Sequence, residues 1–298
     1  MSSAQTGSLY LDTRTGQVHV MDSTIIRYCW GVVPVDNQIY MYGNSLPPVP
    51  YNRKLLAYNP LTKKISSPTF LQPFYHNAEL ITMVYQSLKG DVWYSLNYGN
   101  GLVRQQAGSN QFVQYRMKDV PRPFTFGYVN KATEDRNGNL YFTTNKKREV
   151  LVWKNKKQQF EEWEMDSVLN RKDVQFGPLW ANLIDSKQNL WLAYEQIGLV
   201  KYNLETHLGK LYETEDGMPV NIVHTMEADA ENNIWLPSEK GLSCLLSATD
   251  KFITFTEKDG LPFTDFSDSY LFYDKDDSSL YFSKTGYLYK INCAHLLQ

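Results

Sequence analysis

Three observations predict an all-β chain folded as a β-propeller. A short phrase recurs about every 48 residues, each copy holds four strand-like segments, and helical periodicity is almost absent. The phrase is a turn followed by an aromatic-anchored strand. It reads Gly90-Asp91-Val92-Trp93, Gly138-Asn139-Leu140-Tyr141, Gln188-Asn189-Leu190-Trp191, Asn232-Asn233-Ile234-Trp235 and Ser278-Ser279-Leu280-Tyr281, with a weaker first copy at Asn37-Gln38-Ile39-Tyr40. Repeats of this length build solenoids, propellers or arrays, and four hairpin-linked strands per repeat select the propeller blade. The expected architecture is six antiparallel four-stranded blades, with seven as the alternative.

The elements follow in order. Residues 1–7 are small and polar and read as a linker or a cloning remnant; residues 8–298 read as a single domain. Residues 8–22 resemble the third strand, turn and fourth strand of an interior copy. They are expected to supply the outer strand that the last copy lacks, closing the ring and removing an open sheet edge. The blades are placed at 24–72, 78–118, 126–166, 178–216, 221–258 and 267–292. The fourth is clearest: apolar Leu179–Ile184, a turn at 185–188, Asn189–Tyr194 with Trp191, a turn at 195–198, then 199–203 and 209–213. Asp135, Asp185 and Asp229 each stand six residues before their anchors. That fixed offset predicts a side chain bonded to the amides of the first hairpin turn. Gly101, Gly198 and Gly241 open third strands, where positive φ suits the second hairpin. The segment 166–173 is read as one short helical turn in a long loop.

Composition narrows the partners. The 298 residues are 42% apolar and 14% aromatic, enough for a large core, and the net charge of −2 gives no reason to expect nucleic acid or an anionic membrane. Short basic runs at 146–148 and 154–157 read as solvated blade edges. Three cysteines, Cys29, Cys244 and Cys293, show neither metal spacing nor a disulfide framework. No run approaches the length of a membrane helix and no signal peptide is visible, so direct membrane insertion is not expected.

The phrase at 185–203 resembles the two-component regulator propeller repeat. The connections Tyr212-Glu213-Thr214-Glu215-Asp216-Gly217-Met218-Pro219 and Phe255-Thr256-Glu257-Lys258-Asp259-Gly260-Leu261-Pro262 are similar to that family's link between blades. The resemblance covers residues 80–292 well and 8–79 poorly. It implies the extracytoplasmic, periplasmic sensor region of a Bacteroides-type hybrid two-component histidine kinase, with breakdown products of polysaccharides as the family's usual ligands. The kinase, membrane span and β-sandwich of that family are not in this chain.

Candidate chemistry lies between the anchors. Thr82, Asn130, Trp180, His224 and Tyr270 stand eleven residues before theirs and, if in register, form one level of the channel. That column is mixed and partly aromatic and does not make the ring of acids and amides that would hold Ca²⁺. The five histidines show no ligand spacing, and no nucleophile elbow or phosphate loop occurs. No metal and no cofactor are expected, and no catalytic residue is assigned. Aromatic rings beside amides and charges suit sugars, through apolar stacking plus hydrogen bonds to hydroxyls. The ligand-binding candidates are His76, Asn77, Arg122, Tyr128, Asn130, Arg171, Trp180, His224 and Tyr270; the bland reading of each is an ordinary polar loop or channel residue. The expected function is a non-catalytic sensor binding a small saccharide or glycan fragment, with a neighbouring domain or a second copy as partner. The alternatives are a lyase or hydrolase acting on a carbohydrate or lactone, with His224 and Asn130 in acid–base roles, and a pure interaction scaffold.

Overall fold

The computed structural model describes residues 2–3, 7–12, 17–20, 28–44, 53–74, 81–96, 100–120, 129–144, 150–163, 177–267, 269–284 and 287–298. The protein is an all-β propeller, and its described residues form six blades with almost no helix. Blade 1 comprises Tyr28–Val35, Gln38–Asn44, Arg53–Asn59 and Lys64–Ser66; blade 2, Ile81–Gln86, Val92–Leu96, Gly101–Gln105 and Phe112–Tyr115. Blade 3 comprises Val129–Glu134, Leu140–Thr144, Val150–Lys154 and Gln159–Trp163; blade 4, Leu179–Ile184, Asn189–Tyr194, Gly198–Asn203 and Gly209–Tyr212. Blade 5 comprises Glu227–Ala228, Ile234–Ser238, Gly241–Leu246 and Lys251–Phe255, and blade 6 shows Leu271–Asp274, Ser279–Lys284 and Tyr287–Asn292. Strands pair in chain order within every blade. Near the N-terminus Ser2–Ser3, Gly7–Asp12 and Gln17–Val20 form a three-stranded sheet of their own, with Leu9 opposite Val20, and among the described residues none of them is paired as the expected closing strand of blade 6. The helical turn expected at 166–173 lies outside the described residues.

The chain divides into two compact units, Met1–Glu134 with Trp153–Glu162, and Asp135–Val152 with Trp163–Gln298. In the first, Trp93 is completely buried and packs against Trp153, 5.3 Å away edge-on, and against Tyr115. The Arg104 guanidinium lies over both indoles and is held by Asp91 at 2.6 Å. In the second, Asn189–Tyr194 and Ile234–Ser238 are buried along their whole length. Stacked blades cover both faces of an inner strand, so such strands read as continuous apolar runs and lose the alternation of a half-wet sheet. The outer strand Lys251–Phe255 keeps that alternation.

The offset aspartates do what their spacing predicts, and more. Asp229 Oδ1 accepts the backbone N–H groups of Glu231 and Asn233 at 3.0 and 2.8 Å. Its Oδ2 accepts Asn233 Nδ2 and the Trp235 indole N–H, both at 2.9 Å. Asp185 holds Asn189 and Trp191 in the same way, and Asp135 holds Asn139 and the Tyr141 hydroxyl. One carboxylate thus closes the hairpin turn and fixes the core anchor. A buried charge is tolerated there because each oxygen is multiply bonded.

The residue after the turn's first position joins one blade to the next. Leu88 N–H donates to Glu134 Oε2 at 2.7 Å, Arg136 N–H to Gln188 Oε1 at 2.9 Å, Ser186 N–H to Asn232 Oδ1 at 2.8 Å and Ala230 N–H to the Tyr273 hydroxyl at 3.2 Å. Gln188 and Asn232 reach their partners from left-handed backbone, with φ of 61° and 64°.

The opposite end of each blade also has a recurring turn. At Gly198 φ is 135°, and a Cβ would lie 2.1 Å from the Tyr212 carbonyl oxygen, so the third strand opens where the fourth strand closes against it. After the fourth strands come single 3₁₀ turns at Thr214–Asp216 and Glu257–Asp259. Asp216 accepts the Glu213 N–H at 3.0 Å and Asp259 the Thr256 N–H at 2.8 Å, and Gly217 and Gly260 end the turns at φ 90°. The Asp-Gly pair of the connecting phrase is therefore a cap and a stop.

Candidate functional site

The column eleven residues before the anchors marks a structural position. In blade 4, Leu179 pairs with Tyr194 and Ala181 with Ala193, leaving Trp180 as an extra residue. In blade 2 the same shift falls at Thr82, between Ile81 and Met83. Bulges bend a strand and re-aim one side chain out of the pleat. Leu179 and Ala181 are fully buried, while Trp180 between them is only half-buried.

The bulge aims Trp180 toward the end of blade 4 where the second hairpin and the connection to blade 5 lie. Its indole Nε1–H donates to Glu195 Oε2 at 2.9 Å. Glu195 begins the turn between the second and third strands, and its N–H donates to the Pro178 carbonyl at 2.8 Å. The next N–H, of Gln196, donates to the Asn221 carbonyl at 2.9 Å, pinning the connection that carries His224. The Trp180 and His224 rings meet edge to face, with centroids 5.2 Å apart and planes at 72°. His224 is the exposed member of a run whose neighbours Val223, Thr225 and Met226 are buried. Asn221 Oδ1 is buried with no hydrogen-bond partner.

Sequence reasoning placed Trp180 and His224 together, and the structure brings their rings into contact. Glu195 went unnoticed as a site residue because its segment was read only as a turn. The available signal was topological: the second hairpin and the connection between blades share one end of the sheet. Thr82 is a buried tie, its Oγ1 donating to the Val129 carbonyl at 2.7 Å. Asn182 plays a similar part, its Nδ2 donating to Thr143 Oγ1 at 2.9 Å. Asn130 lies half-buried in the first strand of blade 3, and Tyr270 is 71% exposed ahead of the first strand of blade 6. His76, Asn77, Arg122, Tyr128 and Arg171 lie outside the described residues.

The arrangement offers an indole face, an imidazole and a carboxylate. It can stack on an apolar ring face and accept hydrogen bonds at its edge. Among the described residues no group of histidine, cysteine and carboxylate side chains could hold a metal ion, and no helix is long and apolar enough to cross a membrane. Cys244 and Cys293 are buried free thiols; burial pushes both up, Cys293 to about 12.

No protein-family model matches the chain. No curated protein matches it. Among solved structures it is similar to the extracellular domain of a putative hybrid two-component system from B. thetaiotaomicron, with a TM-score of 0.74 and 14% identity over 99% of this chain and 37% of that one. It is also similar to a catalytically inactive histidine-to-alanine variant of virginiamycin B lyase from Staphylococcus aureus with quinupristin (TM-score 0.66, 12% identity, 92% of this chain and 83% of that one). A third is the extracellular domain of a putative one-component system from B. thetaiotaomicron (TM-score 0.61, 14% identity, 96% and 45%). The chain thus spans less than half the length of either sensor domain it matches. Likeness at these identities shows the propeller fold alone.

Proposed function

We propose that this propeller is a non-catalytic sensing module, the extracytoplasmic part of a hybrid two-component signalling protein, and that it responds to a saccharide bound at the Trp180–His224 end of blades 4 and 5. The observation that carries the reading is the bulged Trp180, braced by Glu195 and met by His224. An aromatic ring fixed in orientation beside polar edge groups is what sugar binding requires, since stacking needs a held platform and hydroxyls need nearby acceptors. The similarity to two extracellular sensor domains supports the signalling context and an extracytoplasmic location. Ligand binding would act by changing packing against a neighbouring domain or a second copy.

Calorimetry and Trp fluorescence against neutral, acidic and amino oligosaccharides test the reading. Binding is expected to disappear in Trp180→Ala with the thermal melt preserved; a complete absence of heat from every class would overturn it. A second reading, a lyase, is favoured by the exposed His224 and by the lyase structure whose histidine variant is inactive. Turnover of a carbohydrate or lactone panel, lost in His224→Ala, would replace the sensing reading with that one.

A further inference from the structure

Resting on the sensing reading, we propose that the site takes a ligand of two linked sugar rings, one held by blade 4 and the next by blade 5. Trp191 faces Leu183 across the first hairpin of blade 4, and Trp235 faces Glu227 in blade 5. Three residues before those partners stand Trp180 and His224, so the two rings hold the same place in neighbouring blades. Each place is matched by a carboxylate four residues after the anchor, at the start of the second hairpin: Glu195 in blade 4 and Glu239 in blade 5. In both blades that hairpin is tied to the connection that follows it. The Gln196 N–H donates to the Asn221 carbonyl at 2.9 Å, and the Phe266 N–H donates to the Ser238 carbonyl at 2.8 Å. A ring place and a carboxylate place thus recur as a pair, once per blade, at one end of the unit.

The Trp180 and His224 rings touch with their planes at 72°, so they form two platforms and not one flat floor. A single sugar ring can lie on one of them only, because stacking needs a parallel face. A second, linked ring is required to use both. His224 and Glu239 are exposed while Trp180 is half-buried, so the second platform is the more open one. The neutral imidazole carries one donor and one acceptor nitrogen, and the carboxylate accepts, which suits hydroxyls that do both. The pairing of places ends with blade 5. In blade 6 Tyr281 faces Phe272, and three residues before Phe272 stands Ser269, which is small and buried. Within this unit the rings therefore serve two sugars and not a longer row.

The probes are mono-, di- and trisaccharides built from glucose, xylose, glucosamine, N-acetylglucosamine and galacturonic acid. Binding is read by calorimetry, with ligand-observed NMR for the weakest. In a series that binds, the disaccharide is expected to bind about tenfold more tightly than its monosaccharide, through one further stack and its hydrogen bonds. The trisaccharide should gain less than about twofold more. Glu239→Ala should cut the disaccharide-to-monosaccharide ratio to about threefold, and Glu239→Ala with His224→Ala to about one. Both side chains are exposed, so the thermal melts should hold. A monosaccharide that binds as tightly as its disaccharide, an affinity that climbs as steeply from two rings to three, or a ratio that survives the double variant overturns the inference and leaves the sensing reading standing. Silence from every series removes the sensing reading, and the inference with it.

Discussion

Blades 4 and 5 are built from the same kind of strand, yet their two ends obey different rules. At the first-hairpin end, Asp185 and Asp229 occupy the same offset, hold the same amide and indole partners, and join neighbouring blades through Ser186 and Ala230. At the other end, blade 4 carries Trp180 bonded to Glu195, whereas blade 5 keeps a carboxylate at the same place, Glu239, but has His224 where blade 4 has Trp180. Repetition marks what blades 3, 4 and 5 share in their turns and anchors. Variation at fixed backbone positions marks where one blade can do something its neighbours do not. The bulge is shared with blade 2, where Thr82 uses it to tie strands, so the backbone device is common and the side chain decides its use.

The contrast between the two ends can be broken by substitution. The largest effect is expected from Asp229→Ala, which strands a buried indole N–H, an amide and two backbone N–H groups. Unfolding free energy should fall by about 3 kcal/mol, read from denaturant melts. A loss within experimental error would mean that these bonds are ornamental. Gly198→Ala should cost about 2 kcal/mol, because positive φ and the Tyr212 carbonyl both oppose a Cβ. Asn232→Ala removes both hydrogen bonds that Ser186 gives across the blades and should cost about 1 kcal/mol. Trp180→Ala should move the melt least of these and the saccharide affinity most. If it unfolds the protein as Asp229→Ala does, the two ends are not functionally distinct.

Alkaline pH gives a subtler contrast. Cys293, with an ordinary value of 9.0, is raised to about 12 by burial and then by Asp229, and Cys244 and Tyr141 are raised by burial as well. Between these limits the folded chain holds protons that the unfolded chain releases. Their contribution to stability is therefore complete below about pH 9 and declines as pH rises toward 12. The melting temperature should drop across that window, and Cys293→Ser should flatten the decline.

Much of the architecture was legible because propellers reward periodicity. The preceding aspartates recur at one offset from their anchors, and that offset corresponds to one turn with one geometry; the third-strand glycines recur at one place in the blade, at positive φ, although the turn before them varies in length. The joins between blades were not legible. Their acceptors are Glu134, Gln188, Asn232 and Tyr273, a carboxylate, two amides and a hydroxyl, brought within reach by stacking; only Gln188 and Asn232 share an offset from their anchors. The candidate site was half visible. Trp180 and His224 stood in one column, but Glu195 belongs to another hairpin, and its role exists only because that hairpin folds back to the same end as the bulge.

The amino-acid sequence by itself determined the blade, because turns, caps and strand anchors are local and repeat with the chain. Only the tertiary structure decided which polar groups meet. Side chains from separate hairpins and from successive blades converge through packing, and the aim of Trp180 depends on one unpaired residue in a strand.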